Sequence, residues 1–143
     1  MSKRDIKALN SVTKTLIDSC EGYKTCCDVS DDDYSLQQEF KSREQERRDL
    51  VAEIQMHVRK IGGDPEEDGS MAGAVHRGFT RFSSLFRDDE KAAISALDDG
   101  EEHLAEKIED KLEDDELLPE TRTLLQKAHT SAKSGETFAD MLD

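Results

Sequence analysis

Tryptophan is absent from this 143-residue chain, proline occurs twice, and aromatic residues make up only 5% of it. With so few rings and few β-branched runs, a sheet sandwich or barrel would have little from which to build its packed faces. Long apolar runs are missing as well. No span of ~18 or more apolar residues exists, which excludes a membrane-crossing helix, and the opening MSKRDIKALN lacks the apolar segment of a secretory signal. A cytoplasmic location is therefore expected. Positive charge is also scarce: 20 Lys and Arg stand against 34 Asp and Glu, for a formal charge of −14. A nucleic-acid duplex or an anionic membrane would be repelled, so neither is expected as a partner. The acidity, as in EDKLEDDE at 109–116, reads as solvated helix surface.

Catalytic signatures are missing too. No Gly-rich phosphate loop follows a strand, and neither a nucleophile elbow nor a Cys-His protease pattern occurs, which sets aside ordinary nucleotide and hydrolase chemistry. The three cysteines, Cys20, Cys26 and Cys27, are odd in number and crowded into one segment. That suits neither a disulfide framework nor paired zinc ligands, so reduced thiols are expected. Cys20 and Cys27 are seven residues apart on one helical face and read as core, while the exposure of Cys26 is left open.

What is abundant is Glu, Lys, Leu, Ala and Asp, a helix-forming composition, and the apolar residues recur at three-and-four spacing. A first helix is expected from Ser2 to Cys27, capped by Ser2 with Asp5 three residues on, its stripe being Ile6, Leu9, Val12, Leu16, Cys20, Tyr23 and Cys27. A second runs from Asp31 to Ile61, with Leu36, Phe40, Leu50, Val51, Ile54, Val58 and Ile61 inward, and is stopped by Gly62 and Gly63. GGDPEEDGS at 62–70 is a loop, and Ser70 caps a shorter helix to Phe86 that carries Val75, Phe79, Phe82 and Phe86. Asp88 or Asp89 caps a long helix to Glu113, with Ala93, Ile94, Leu97, Leu104, Ile108 and Leu112 inward. Pro119 opens the last, whose stripe is Leu124, Leu125, Ala128, Ala132, Phe138 and Leu142.

Four helices of roughly 24 to 30 residues span ~36 to 45 Å each, the proportions of a bundle. Two short connections make antiparallel hairpins, whereas the 26 residues from Gly62 to Arg87 are enough to travel the bundle's length. The expectation is one all-α domain over 1–143, a ferritin-like four-helix bundle whose long crossover contains an extra short helix. An up-down bundle with a fifth helix is the alternative.

Charged residues interrupt the stripes. Arg43 and Arg47 fall between Phe40 and Leu50, pointing inward or sideways, and a buried guanidinium needs a carboxylate partner. Glu21 beside Cys20 and Glu101 between Leu97 and Leu104 are candidates, Glu46 and Glu53 flank Leu50, and His129 and Glu136 flank the last stripe. In one reading Arg47 pairs with Glu21 or Glu101, and the cluster Glu21, Arg43, Glu46, Arg47 and Glu101 fixes helix register. In the other, Glu21, Glu53, Glu101 and His129 hold two metal ions, iron or manganese, as facing helices of a bundle core can. The structural reading is preferred, because no histidine follows a glutamate by three residues. Glu53 and His57, four apart, could share one ion. His76 and Arg77, one turn into the crossover helix, are expected to hydrogen-bond the preceding loop, and His103 to sit on a solvated face.

DSCEGY at 18–23, Glu46-Arg47, IGGDPEEDGS continuing into GAVHRGF, Gly100-Glu101 and LLPE at 117–120 together resemble a bacterial family of ferritin-like four-helix-bundle proteins of unknown function, related to rubrerythrins. The similarity covers nearly the whole chain. It implies a ferritin-like bundle whose ancestors oxidised or stored iron, with Glu21, Glu46, Glu53 and Glu101 as the positions to inspect. This chain departs from working di-iron relatives: their Glu-x-x-His pairs are missing, Glu136 stands where relatives carry His, and His129 is displaced to an earlier turn. A non-catalytic, stress-associated bundle acting by association is the functional expectation, with a di-metal oxidoreductase or ferroxidase as the alternative. A homodimer through helical faces or the phenylalanine-rich crossover helix is a further expectation.

Overall fold

The computed structural model describes residues 2–69 and 89–143. Four long helices account for most of them: α1 (Lys3–Val29), α2 (Tyr34–Lys60), α3 (Glu90–Leu112) and α4 (Pro119–Leu142), with no strand among the described residues. Their ends follow local chemistry. Asp33 accepts a hydrogen bond from the Leu36 amide and Asp89 one from the Ala92 amide, each satisfying an amide that the helix itself leaves free. Pro119 takes the first position of α4, where a missing N–H costs nothing. Gly62, at φ 94°, provides the left-handed residue that closes α2, and the Gly63 amide returns to the Val58 carbonyl at 2.9 Å.

The start of α1 departs from the capping expectation. Ser2 makes no side-chain cap. Asp5, expected to complete that cap, is buried instead and accepts the Leu118 amide at 2.9 Å, tying α1 to the start of α4. A carboxylate one turn into a helix therefore serves a neighbouring backbone, a use that local spacing does not signal.

Contacts along the bundle set the helix directions. Gln37 Nε2 donates to the Cys27 carbonyl at one end and Asn10 Nδ2 to the Asp64 carbonyl at the other, so α1 and α2 are antiparallel. Arg4 meets Asp114 at 3.0 Å and Ser30 Oγ donates to Glu90 at 2.6 Å, so α1 and α3 are antiparallel too. It follows that α2 and α3 run the same way, and the connection from Ile61 to Asp89 joins opposite ends of the bundle. The up-down alternative required the reverse. Residues 64–67 begin that journey against α1 and α2, where Asn10 also accepts the Glu66 amide and Gln55 donates to the Glu66 carbonyl. The expected crossover helix, with Val75, Phe79, Phe82 and Phe86, lies outside the described residues, as do His76 and Arg77.

The core is the set of stripes read from the sequence: Leu9, Val12, Leu16 and Tyr23 of α1, Phe40, Ile54 and Val58 of α2, Leu97, Leu104 and Ile108 of α3, and Leu125, Ala128 and Ala132 of α4 are fully buried. Leu142 is a correction, since in the last turn of α4 it is 38% exposed. α1 packs chiefly against α2 and α3, and α3 against α4. Between α2 and α4 the bundle is more open, with a groove of about 870 Å³ running from Ser42 and Ser134 to Glu53 and Lys127.

Candidate functional site

All four helices contribute polar groups to the bundle centre. Arg47 of α2 and Glu101 of α3 are each almost completely buried and form a bidentate pair, Nη1 to Oε1 at 2.9 Å and Nη2 to Oε2 at 2.6 Å. Burying two such ions costs several kcal/mol each, which their attraction offsets only if the remaining donors and acceptors are also paired. Here they are. Tyr23 of α1 donates its phenol to Glu101 Oε2 at 2.6 Å, Ser19 of α1 accepts from Arg47 Nη1 at 2.8 Å, and Ser131 of α4 accepts from Arg47 Nε at 3.3 Å. Four of the five guanidinium N–H groups are thus used. The two serines pass the chain on, Ser19 donating to the Leu16 carbonyl and Ser131 to Glu46.

The electrostatics agree with a fixed ion pair. Burial by itself pushes the Arg47 guanidinium down, but the Glu101 charge and its hydrogen bonds reverse that and leave it raised above its ordinary value. Tyr23 is raised well above the usual phenol range, first by burial and then by the adjoining Glu101 carboxylate. Room for the network comes from α4. Gly135 faces Glu101 and Tyr23 so closely that a Cβ there would overlap the Glu101 carboxylate. The aromatic rings continue the packing, with Tyr23 6.4 Å from Phe40 and Phe40 edge-on to Phe138 at 5.6 Å.

The other residues singled out from the sequence are dispersed. Arg43 sits at the rim, stacked 4.4 Å over the Phe138 ring and bonded to Glu39 and Ser134. Glu21, offered as a partner for Arg47, points outward to Arg48 at 3.6 Å, because it lies one position off the inward stripe of α1. Glu46 borders the α2/α4 groove, Glu53 pairs with Lys127 at 2.8 Å, and Glu136 with Lys133 at 3.1 Å. His129 meets Glu109 at 2.7 Å, on the α3 side of the bundle. Among the described residues no three His, Cys, Asp or Glu side chains stand close enough to hold one metal ion. Glu53 and His57 do not share a partner either: the imidazole turns to Thr121 of α4. Cys20, Cys26 and Cys27 are all reduced and buried, Cys26 against the Ala93 carbonyl of α3 at 3.5 Å.

From the sequence Tyr23 reads only as an apolar stripe member, and Ser19, Ser131 and Gly135 do not stand out. The available signal was Ala128, Ala132, Gly135 and Ala139, a run of small residues on one face of α4, including a helix-weakening glycine that implies something bulky opposite.

Helices alone, with a buried ion pair shared among them, define an all-α helical bundle with a polar centre. The chain belongs to the family described as "Domain of unknown function (DUF2383)", whose model matches residues 4–114. The structure is similar to the crystal structure of a conserved hypothetical protein, rv2844, from Mycobacterium tuberculosis, with a TM-score of 0.77 at 12% identity over 100% of this chain and 99% of that one. At that identity the likeness is one of fold. No curated protein matches the sequence, and no helix among the described residues is long and apolar enough to cross a membrane.

Proposed function

We propose that this is a ferritin-like bundle, related to the bacterial rubrerythrin lineage, in which a built-in cation occupies the centre and the protein acts by association instead of catalysis. The helix directions support the ferritin-like reading, since α2 and α3 run the same way and the long connection joins opposite ends. The observation that carries the functional reading is the engagement of Glu101: both its oxygens are taken, by Arg47 and Tyr23, so the carboxylate best placed to serve a metal serves a guanidinium. The cluster then fixes the register of four helices, because shifting any one of them strands a buried charge or hydroxyl.

The test compares Arg47→Leu with Arg47→Leu/Glu101→Gln in urea denaturation. The single change leaves Glu101 buried and uncompensated and costs about 3 to 5 kcal/mol; the double change recovers most of that. A double variant as unstable as the single one removes the structural role. Elemental analysis of protein purified without chelator addresses the chemistry separately: near-stoichiometric iron or manganese would replace this reading with the di-metal one.

A further inference from the structure

Beyond the central network, the last turn of α2 buries another ionisable ring. His57 is 4% exposed, and its Nε2 lies 3.2 Å from the hydroxyl of Thr121, itself buried in the first turn of α4. Its Nδ1 is the one buried side-chain nitrogen or oxygen among the described residues that has no hydrogen-bond partner. The charged atom facing it is Glu120 Oε2 at 3.3 Å, out of line for a hydrogen bond. A hydroxyl can donate or accept, so Thr121 suits any state of the ring. Nδ1 is the atom whose environment changes. Without a proton it presents a lone pair to a carboxylate; with one it presents an N–H and a positive charge, which the carbonyl end of α2 also favours.

The geometry points to a proton-responsive clamp in which protonation of His57 draws the Glu120 carboxylate onto Nδ1 and fastens the first turn of α4 to the last turn of α2. The surrounding charges permit this. Lys60 of α2 shares Glu120, 3.4 Å from its other oxygen, without blocking Oε2. Glu53, one turn before His57, is held by Lys127 of α4. From α1, Asp5 is committed to the Leu118 amide, and Arg122 of α4 is committed to the Leu112 and Asp114 carbonyls at the end of α3. The clamp acts on the open side of the bundle, one turn beyond Glu53 and Lys127 at the end of the α2/α4 groove. Fastening it narrows that end of the groove.

The experiment is an imidazole ¹H–¹⁵N NMR titration of the full chain from about pH 8 to pH 4.5, with amide hydrogen-exchange protection factors, corrected for the intrinsic rate at each pH, read at Arg122 to Leu125. Wild-type protein is compared with Glu120→Gln, a change at a half-exposed side chain that leaves the core intact, and with Glu109→Gln, which strips the separate His129–Glu109 contact. The expected result is that protection in the first turns of α4 rises several-fold on acidification of the wild type, once the intrinsic pH dependence of exchange is divided out. Glu120→Gln then abolishes that rise in protection, while Glu109→Gln leaves it unchanged. The proposal fails if the ring signals show no second proton on His57 throughout, or if protection rises equally in Glu120→Gln.

Discussion

Gly135 of α4 lies directly against the Glu101 carboxylate of α3, with no room between them for a methyl group. Glycine inside a helix is usually improved by alanine, which gains about 1 kcal/mol of helix propensity. Here the same substitution drives a Cβ into Oε2 of a carboxylate that cannot move away, since Arg47 and Tyr23 hold it at 2.6 Å each. Overpacking of a fixed core costs typically about 1 to 3 kcal/mol and sometimes more. Gly135→Ala is therefore expected to destabilise the protein by about 1 kcal/mol or more net, measured from the urea midpoint, whereas Ala132→Gly costs only the ordinary loss of propensity and packing. A stabilised Gly135→Ala would mean that the carboxylate is free to move.

Tyr23 carries the third bond to Glu101, and its removal isolates that bond from the ion pair. Tyr23→Phe leaves the ring packing and takes away a donor from a buried charge, a change worth about 1.5 to 3 kcal/mol. In a Glu101→Gln background the acceptor is neutral and the same change costs about 1 kcal/mol or less. The difference, read from a double-mutant cycle, is the coupling between phenol and carboxylate. In the intact protein the phenol should also resist ionisation, so phenolate absorbance from Tyr23 appears on raising pH only when the chain unfolds.

Much of this architecture was readable in advance, and the part that was not has a common cause. Leu9, Val12 and Leu16, or Leu97, Leu104 and Ile108, announce their buried faces by spacing alone, and the long stretch after Gly62 implied that α2 and α3 share a direction. Arg47 was legible as an inward charge for the same reason. Its partner was not: Glu21 and Glu101 were equally acceptable by type, and the choice turned on a rotation of about 100° per residue that leaves Glu21 facing solvent. Asp5, expected to cap its own helix, serves Leu118 instead, and His57, four residues from Glu53, turns to Thr121. In each case periodicity identified the face on which a polar side chain sits, while the partner came from another helix, whose axial offset no local pattern encodes.

The thiols provide a probe of intactness. Burial pushes Cys20 up to about 11 and raises Cys26 and Cys27 as well, so thiolate is scarce in the folded protein at neutral pH. Native protein at pH 8 is expected to react with a thiol-directed disulfide reagent far more slowly than a free thiol does, with all three groups becoming reactive together in denaturant. A single fast thiol in buffer would show that one of them is exposed by a local opening.

Asp98 is expected to make the fold more stable as the solution is acidified through the range where its proton binds. Partial burial, and then the neighbouring charges of Asp140, Asp143, Asp99 and Glu136, raise its carboxyl from 3.8 to about 6. The folded state thus holds this proton more tightly than the unfolded chain, the reverse of a salt-bridged aspartate, and the contribution to stability grows as pH falls from about 7 to about 4, below which both states are protonated. A shift of that size would nominally be worth close to 3 kcal/mol, but the side chain is partly exposed, and solvent screening reduces the expectation to about 1 kcal/mol. Asp98→Asn should accordingly be more stable than wild type at pH 7 by about that amount, equal to it near pH 4, and flatter between. Urea midpoints at a series of pH values decide the matter: parallel curves for the two proteins would show that Asp98 ionises in the folded state as it does in the unfolded one.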